Sequence, residues 1–336
     1  MISKVYEKTK TFIKENCFII LGFIVLIVLM TFKLPYYISA PGGLINTSSR
    51  IDITSDFKMK GSLNMAYVTE IDGIIPMLIV AFFNPNWDVE SEAEVTTGSE
   101  SIDDVRFRNK LLLEEANDTA LLVAYDNSDI SYKKENSKTY VTYVDDLAKT
   151  NLEVGDQIIE VDGNKIKDKQ EIYDTLMTKN VKDKVKIKVL NNGKEKEKYA
   201  KLINVNGKAK IGILATENFD LKSDYNIDLT FKGTESGSSG GLMMTLTVYS
   251  YLNKIDLTHG KTIVGTGTID NDGNVGEISG VKYKLIGAYK KGADIFLVPR
   301  GENYKEAKKV KKEKGYDITL VPVSTFKEAL TYLEGL

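Results

Sequence analysis

In 336 residues there is one cysteine, Cys17, one histidine, His259, and one tryptophan, Trp87. A lone cysteine within an apolar run excludes a disulfide framework and a cysteine metal cluster, and leaves no thiol nucleophile in the folded part. A lone histidine excludes a multi-histidine metal centre. His259 sits in the polar turn Asp256-Leu257-Thr258-His259-Gly260, a poor place from which to serve a Ser-His-Asp triad. Neither sign of charge predominates: 45 Lys and Arg against 47 Asp and Glu leave a net charge of -2, so no basic footprint for nucleic acid exists. No Gly-x-x-x-x-Gly-Lys-[Ser/Thr] phosphate loop occurs. Gly265-Thr266-Gly267 lacks the third glycine of a dinucleotide site, and Asp270-Asn271-Asp272-Gly273 lacks the distal glutamate of a calcium loop. No metal, cofactor or ATP is expected.

What is present begins with an apolar stretch. Asn16 to Phe32 carry no charge and lie between Glu15 and Lys33. That length, about 17 residues, is at the lower limit for a membrane span, with Tyr36 and Tyr37 as interfacial anchors. Ser39-Ala40 is followed by Pro41, an unfavourable cleavage site, so an uncleaved anchor is expected rather than a signal peptide. Lys4, Lys8, Lys10 and Lys14 favour a cytoplasmic tail over residues 1–15, a transmembrane helix over 16–33 and an extracytoplasmic location for the rest. Residues 34–117 are read as a juxtamembrane region. Within them Ile74 to Phe83 is too short to span and is expected to be buried, and Asp103 to Ala116 is read as a helix before a domain boundary.

Residues 118–205 follow a different pattern. Tyr140-Val141-Thr142-Tyr143-Val144 reads as a strand, and Asn151-Leu152-Glu153-Val154-Gly155-Asp156-Gln157-Ile158-Ile159-Glu160-Val161-Asp162-Gly163 as a turn leading into a second strand. A helix over Asp168 to Thr178 carries Ile172 and Leu176, and Val185 to Leu190 alternates as a strand before the hairpin turn Asn191-Asn192-Gly193. This order resembles a bacterial PDZ domain, an α+β fold in which a peptide adds as a strand to a sheet edge. The resemblance implies a groove between Tyr140, Val141, Thr142 and Tyr143 on one side and Ile172 and Leu176 on the other.

Residues 206–336 alternate strands and helices, an α/β (α+β) pattern. Ile295 to Val298 and Ile318 to Val323 read as buried strands flanking a charged helix, Glu302 to Lys314, and Ser324 is placed to cap a last helix. The run Gly237-Ser238-Ser239-Gly240-Gly241 leads straight into an all-apolar helix. Small residues let the backbone turn sharply there, and the helix N-terminus directs N–H groups at Ser239. A serine nucleophile needs a base, and with histidine nearly excluded a lysine fits best. Lys282 shares a helical stripe with Leu285, Ile286 and Tyr289, whereas Lys284 faces Val281, Gly287 and Ala288, so the wheel favours Lys282 by a small margin.

The serine loop, the strand end Gly265-Thr266-Gly267-Thr268-Ile269 and Ile278-Ser279-Gly280-Val281-Lys282-Tyr283-Lys284 resemble, in order and spacing, the Lon-type Ser-Lys protease domain. The resemblance implies Ser239 as nucleophile, Lys282 as general base and Thr266 as the hydroxyl that holds the lysine. With the anchor and the PDZ-like segment, the chain resembles the membrane-anchored, PDZ-containing Lon-like proteases. The family's Gly-Pro-Ser-Ala-Gly is here altered at Ser238 and Gly240, making Ser238 a rival nucleophile. The expected activity is ATP-independent endopeptidase action on extracytoplasmic peptides or proteins, in a chain that can form a homo-oligomer. The competing reading is a catalytically silent anchored scaffold that captures peptides.

Overall fold

A computed structural model describes residues 2–336, so Met1 of the expected tail lies outside the described residues. The chain divides into two compact units: residues up to Ala40 with Thr69–Val95, and Pro41–Val68 with Thr96–Leu336.

In the first unit an N-terminal helix, Ile2–Glu15, precedes the apolar helix Cys17–Thr31, in which no residue is buried. Fifteen residues rise only about 22 Å, short of a hydrocarbon core of about 30 Å. No single helix is long and apolar enough to cross a membrane; Lys4–Glu15 and Cys17–Thr31, bent by 75°, reach that length and composition together. The continuous span expected over 16–33 is thus interrupted at both ends. Lys33 opens the strand Lys33–Asn46 and pairs with Asp72 at 2.5 Å, and Tyr36 and Tyr37 pair across to Ser91 and Glu90 of the strand Asp88–Ser91. Ile75–Phe82 is a helix with proline in its first turn, and of its residues only Ala81 is buried. The burial expected for this segment is not found.

Two large sheets organise the second unit, beside three two-stranded ones. In one, Thr319–Val323, Ile295–Pro299 and Thr262–Gly265 run parallel, and Thr262–Gly265 is also parallel to Ser62–Ile74. Helices Val281–Lys290 and Glu302–Lys314 make the crossovers that parallel strands require. Both faces are covered, so the strands are almost continuously apolar. Ile263, Ile295 and Leu297 pack with Leu242, Met243 and Leu246 of the buried helix Gly241–Asn253, while Val264, Phe296 and Val298 pack with Val281, Leu285 and Ala307 on the other face. The last helix, Phe326–Glu334, is capped by Thr325 rather than Ser324.

Two boundaries move. Leu63 and Met65 from Ser62–Ile74, with Leu122 and Val123 from the helix Ile102–Asp126, join Leu242 and Met243 in one core cluster. Segments before the middle domain therefore complete the C-terminal core, which residues 206–336 do not close alone. Ile102–Asp126 also runs unbroken through the boundary expected at 117, because Ala116, Ala120 and Val123 continue its buried face.

The other sheet has the order Ile213–Ser223, Tyr132–Val144, Gln157–Val161, Lys184–Asn191, Lys194–Lys201 and Lys149–Thr150, packed against the helix Lys169–Met177. Beneath the turn at Gly155, the Asp156 carboxylate is fully buried. It accepts from the Glu153 backbone N–H at 2.8 Å and from Asn191 Nδ2 at 2.8 Å, and pairs with Lys198 at 2.7 Å. Asp156→Ala leaves the buried Lys198 ammonium with only the exposed Glu153 carboxylate, and is expected to cost about 3 kcal/mol of unfolding free energy by urea titration.

Candidate functional site

Ser239 lies at the carboxyl end of the strand Thr262–Gly265, the end of an open parallel sheet where crevices form. Thr266 follows that strand. Its hydroxyl donates to the Ser239 carbonyl at 3.2 Å, and the Gly267 N–H donates to the same carbonyl at 2.8 Å. The serine is thereby fixed through its backbone, with its side chain left for chemistry. Ser238 and Ser239 are both half-buried; the clamp falls on Ser239.

The loop before the serine is tied down at three points. Arg50 holds Glu235 through Nε at 3.1 Å and Nη2 at 2.5 Å, Glu235 also accepts from the Lys232 N–H at 2.9 Å, and the Gly237 N–H donates to the Asn109 carbonyl at 2.8 Å. Gly237 has φ +87°, a conformation that glycine adopts without strain. At Gly240 a Cβ would come within 2.7 Å of Met65 Sδ, so the alanine of the resembled motif would require Met65 to shift. The helix Gly241–Asn253 starts immediately afterwards. Its Gly241 and Leu242 amides are taken by the Ser238 and Gly267 carbonyls. The amides of Ser239 and Gly240 have no acceptor among the described residues, and they lie at the positive end of the helix dipole, where an anionic oxygen is stabilised.

The lysine differs from the sequence expectation. On Val281–Lys290 the buried amine is Lys284, 4% exposed, and Lys282 is half-exposed with its Nζ over the Tyr283 ring at 5.2 Å. Val281, Leu285 and Ala288 centre the buried face, which includes position 284. The stripe that favoured Lys282 ends at Tyr289, which stacks on Tyr316 at 3.9 Å and is 37% exposed, so that stripe is the flank of the helix. Lys284 Nζ donates to Thr266 Oγ1 at 3.3 Å. Burial lowers the Lys284 pKa to about 8. Thr266, expected to hold Lys282, instead accepts from Lys284. His259 precedes Thr262–Gly265 and Thr266 follows it, which separates them by on the order of 13 Å along the strand.

The groove expected in the middle domain is also rearranged. Tyr140, Val141 and Tyr143 pair with Thr216, Ala215 and Leu214, and Tyr140 pairs with Gln157 on its other side. Val141, Thr142, Ile172 and Leu176 are buried. Tyr140 and Val141 are paired on both sides and offer no free edge to a peptide, and Ile172 and Leu176 belong to the core. The edge strand is Ile213–Ser223, which the sequence reading assigned to the following domain. Thr216, Asn218 and Phe219 are its buried residues, two of them polar and the last two adjacent, so no apolar alternation marked it in the sequence. Part of this edge is covered: the N–H groups of Glu217 and Phe219 donate to Glu115 Oε1 at 3.3 Å and Asp118 Oδ2 at 2.9 Å on the helix Ile102–Asp126. Ile213 to Thr216 remain beside Lys169–Met177, with Leu214 exposed.

A model of the PDZ domain family matches residues 129–202. Residues 129–202 form a PDZ domain. Its edge strand, Ile213–Ser223, lies outside the matched segment. Among solved structures this PDZ domain is similar to that of an SdrC-like protein from Listeria monocytogenes, 35% identical, covering 23% of this chain and 85% of that one with a TM-score of 0.22. The counterpart from Listeria innocua is 38% identical, covering 23% and 92%, also with a TM-score of 0.22. Among curated proteins the chain is similar to the Lon protease of Campylobacter jejuni, 28% identical over 233 residues, which are 66% of this chain and 28% of that protein. The Lon protease of Neorickettsia sennetsu is 30% identical over 118 residues, 35% of this chain and 14% of that protein. The chain spans 28% or less of the length of these two relatives.

Burial pushes the Asp118 carboxyl up to about 7 against the Phe219 N–H that holds it down, with Glu114, Asp220 and Glu115 adding to the rise. The unfolded carboxyl titrates near 4, so this group favours the folded chain fully below about pH 4 and loses that contribution as pH rises to about 7. Asp118→Asn keeps an oxygen for the Phe219 amide and removes the charge. Calorimetry is expected to show its Tm a few degrees above the parent at pH 8, about 1–3 kcal/mol, and level with it near pH 4.

Proposed function

We propose that the chain is a membrane-anchored serine endopeptidase in which Ser239 is the nucleophile and Lys284 the general base, housed in a Lon-type proteolytic domain. The observation that carries this reading is the buried Lys284 amine joined through the Thr266 hydroxyl to the Ser239 carbonyl. Similarity to Lon proteases supports it at the level of reaction class.

A pKa of about 8 leaves roughly one Lys284 amine in five neutral at pH 7.4, against about one in a thousand for an ordinary lysine. The neutral amine takes the Ser239 hydroxyl proton as the oxygen attacks a peptide carbonyl, and the resulting ammonium returns that proton to the departing amine. The Ser239 and Gly240 amides would face the oxyanion, each worth about 3–4 kcal/mol when well aligned. Water then cleaves the serine ester by the same route in reverse. The PDZ domain delivers peptide by strand addition at Ile213 to Thr216, the edge that replaces Tyr140 to Tyr143. The exposed apolar helix Cys17–Thr31, with the bent helix before it, supports anchoring in the cell membrane with the catalytic unit outside the cytoplasm.

Peptide hydrolysis followed by mass spectrometry tests the assignment. Ser239→Ala and Lys284→Met are expected to lose about 10²–10⁴-fold in kcat/KM, and Lys282→Ala to stay within about threefold of the parent. The kcat/KM of the parent should rise with pH through about 8, because the base works only when neutral. A silent Lys282→Ala beside an active Lys284→Met would refute the assignment. Lys284→Met also removes a buried ammonium, so it should raise the Tm at pH 7 while abolishing turnover.

A further inference from the structure

From Ile74 to Trp87 the sequence has no charged residue, between Asp72 and Asp88. The helix Ile75–Phe82 within it is about 12 Å long, too short to span a bilayer. Three of its large apolar positions fall on one stripe at the three- and four-residue spacing: Ile79 is 56% exposed, Phe82 83% and Phe83, just past the helix end, 76%. The two phenyl rings meet edge to face at 5.2 Å and form a single wedge. Turns then bring the chain to the half-exposed Trp87, with Asn84 N–H donating to the Ala81 carbonyl and Trp87 N–H to the Asn84 carbonyl, each at 3.0 Å. Side chains of this size left in water on a helix with one buried residue call for a covering surface.

We propose that Ile75–Phe82 docks on a lipid bilayer, with Ile79, Phe82 and Phe83 entering the acyl boundary and Trp87 at the level of the headgroups. The inference rests on the anchoring reading above. The helix packs beside Cys17–Thr31 within the same unit, and the apolar side chains of that neighbour, Phe18, Phe23 and Ile27 among them, are exposed around its circumference. A bilayer covers both helices at once, whereas a protein partner would have to enclose every face of one and the wedge of the other. At the interface an apolar face sinks about 5–10 Å and tryptophan favours the boundary. The second contact would fix the orientation of the unit on the membrane, which a single helix leaves free to rotate.

The single tryptophan makes the test direct. The full chain is reconstituted in vesicles of phosphatidylcholine and phosphatidylglycerol, separated by flotation, and Trp87 fluorescence is recorded with quencher lipids labelled near the headgroup or deep in the acyl chain. Expected are flotation, blue-shifted emission and stronger quenching by the shallow label. The double variant Phe82→Ser/Phe83→Ser should still float, with emission shifted to the red and quenching reduced at least about threefold. A floating parent whose Trp87 is quenched no more than free indole overturns this inference alone, as does quenching unchanged in the double variant. A parent that does not float overturns the anchoring reading and this one together. Detergent-resistant self-association through the same helix, with no quenching, would assign the wedge to a second copy and also refute the proposal.

Discussion

The proposed catalytic half depends on burying one amine. Lys284 is 4% exposed inside a face made by Val281, Leu285 and Ala288, and its hydrogen bond runs to a threonine hydroxyl with no opposing carboxylate in its pKa balance. An ammonium in that place is penalised by desolvation, and the lowered pKa expresses the penalty. Holding it there takes close backbone contacts. Gly280 opens the helix at φ +72°, where a Cβ would approach Val68 Cγ2 to 2.7 Å, and a Cβ at Gly287 would meet the Gly42 carbonyl oxygen at 2.9 Å. The helix is thus pressed against Val68 and Gly42 at these two glycines.

The parallel sheet brings the parts together. Thr262–Gly265 ends at Thr266, whose hydroxyl accepts from Lys284 and donates to the Ser239 carbonyl. One side chain therefore sets both the lysine and the serine segment. Arg50 and Asn109 restrain the preceding loop from segments that precede the PDZ domain in the chain. The PDZ domain is inserted between the two parts of this parallel-sheet core, and its edge strand Ile213–Ser223 leads into the chain that carries Glu235 and Ser239. The PDZ edge and the serine loop share one stretch of backbone.

Much of this was legible in the sequence. The charged helix Glu302–Lys314 stands where its pattern put it, the PDZ signature Leu152 to Gly163 marks a real domain, and the glycine-serine turn does lead into a buried helix. Three things were not legible, each for a physical reason. Parallel strands join segments far apart in the chain, so Leu63 and Met65 read as juxtamembrane until Leu242 and Met243 are seen against them. A helical wheel ranks faces by apolarity, and Tyr289 scored as core although it stacks on Tyr316 at the surface, which moved the choice from Lys284 to Lys282. A sheet edge is a property of neighbours: Tyr140 to Tyr143 have the composition of a peptide-accepting strand, and Ile213–Ser223 had already paired with them.

The measurement that bears most directly on this account is acylation of the intact protein by a serine-directed probe, with the adduct mapped by mass and its rate followed against pH. The expected result is one adduct, on Ser239, forming at a rate that rises through about pH 8, abolished by Lys284→Met and retained by Lys282→Met. An adduct on Ser238, or a Ser239 rate indifferent to Lys284, would contradict it.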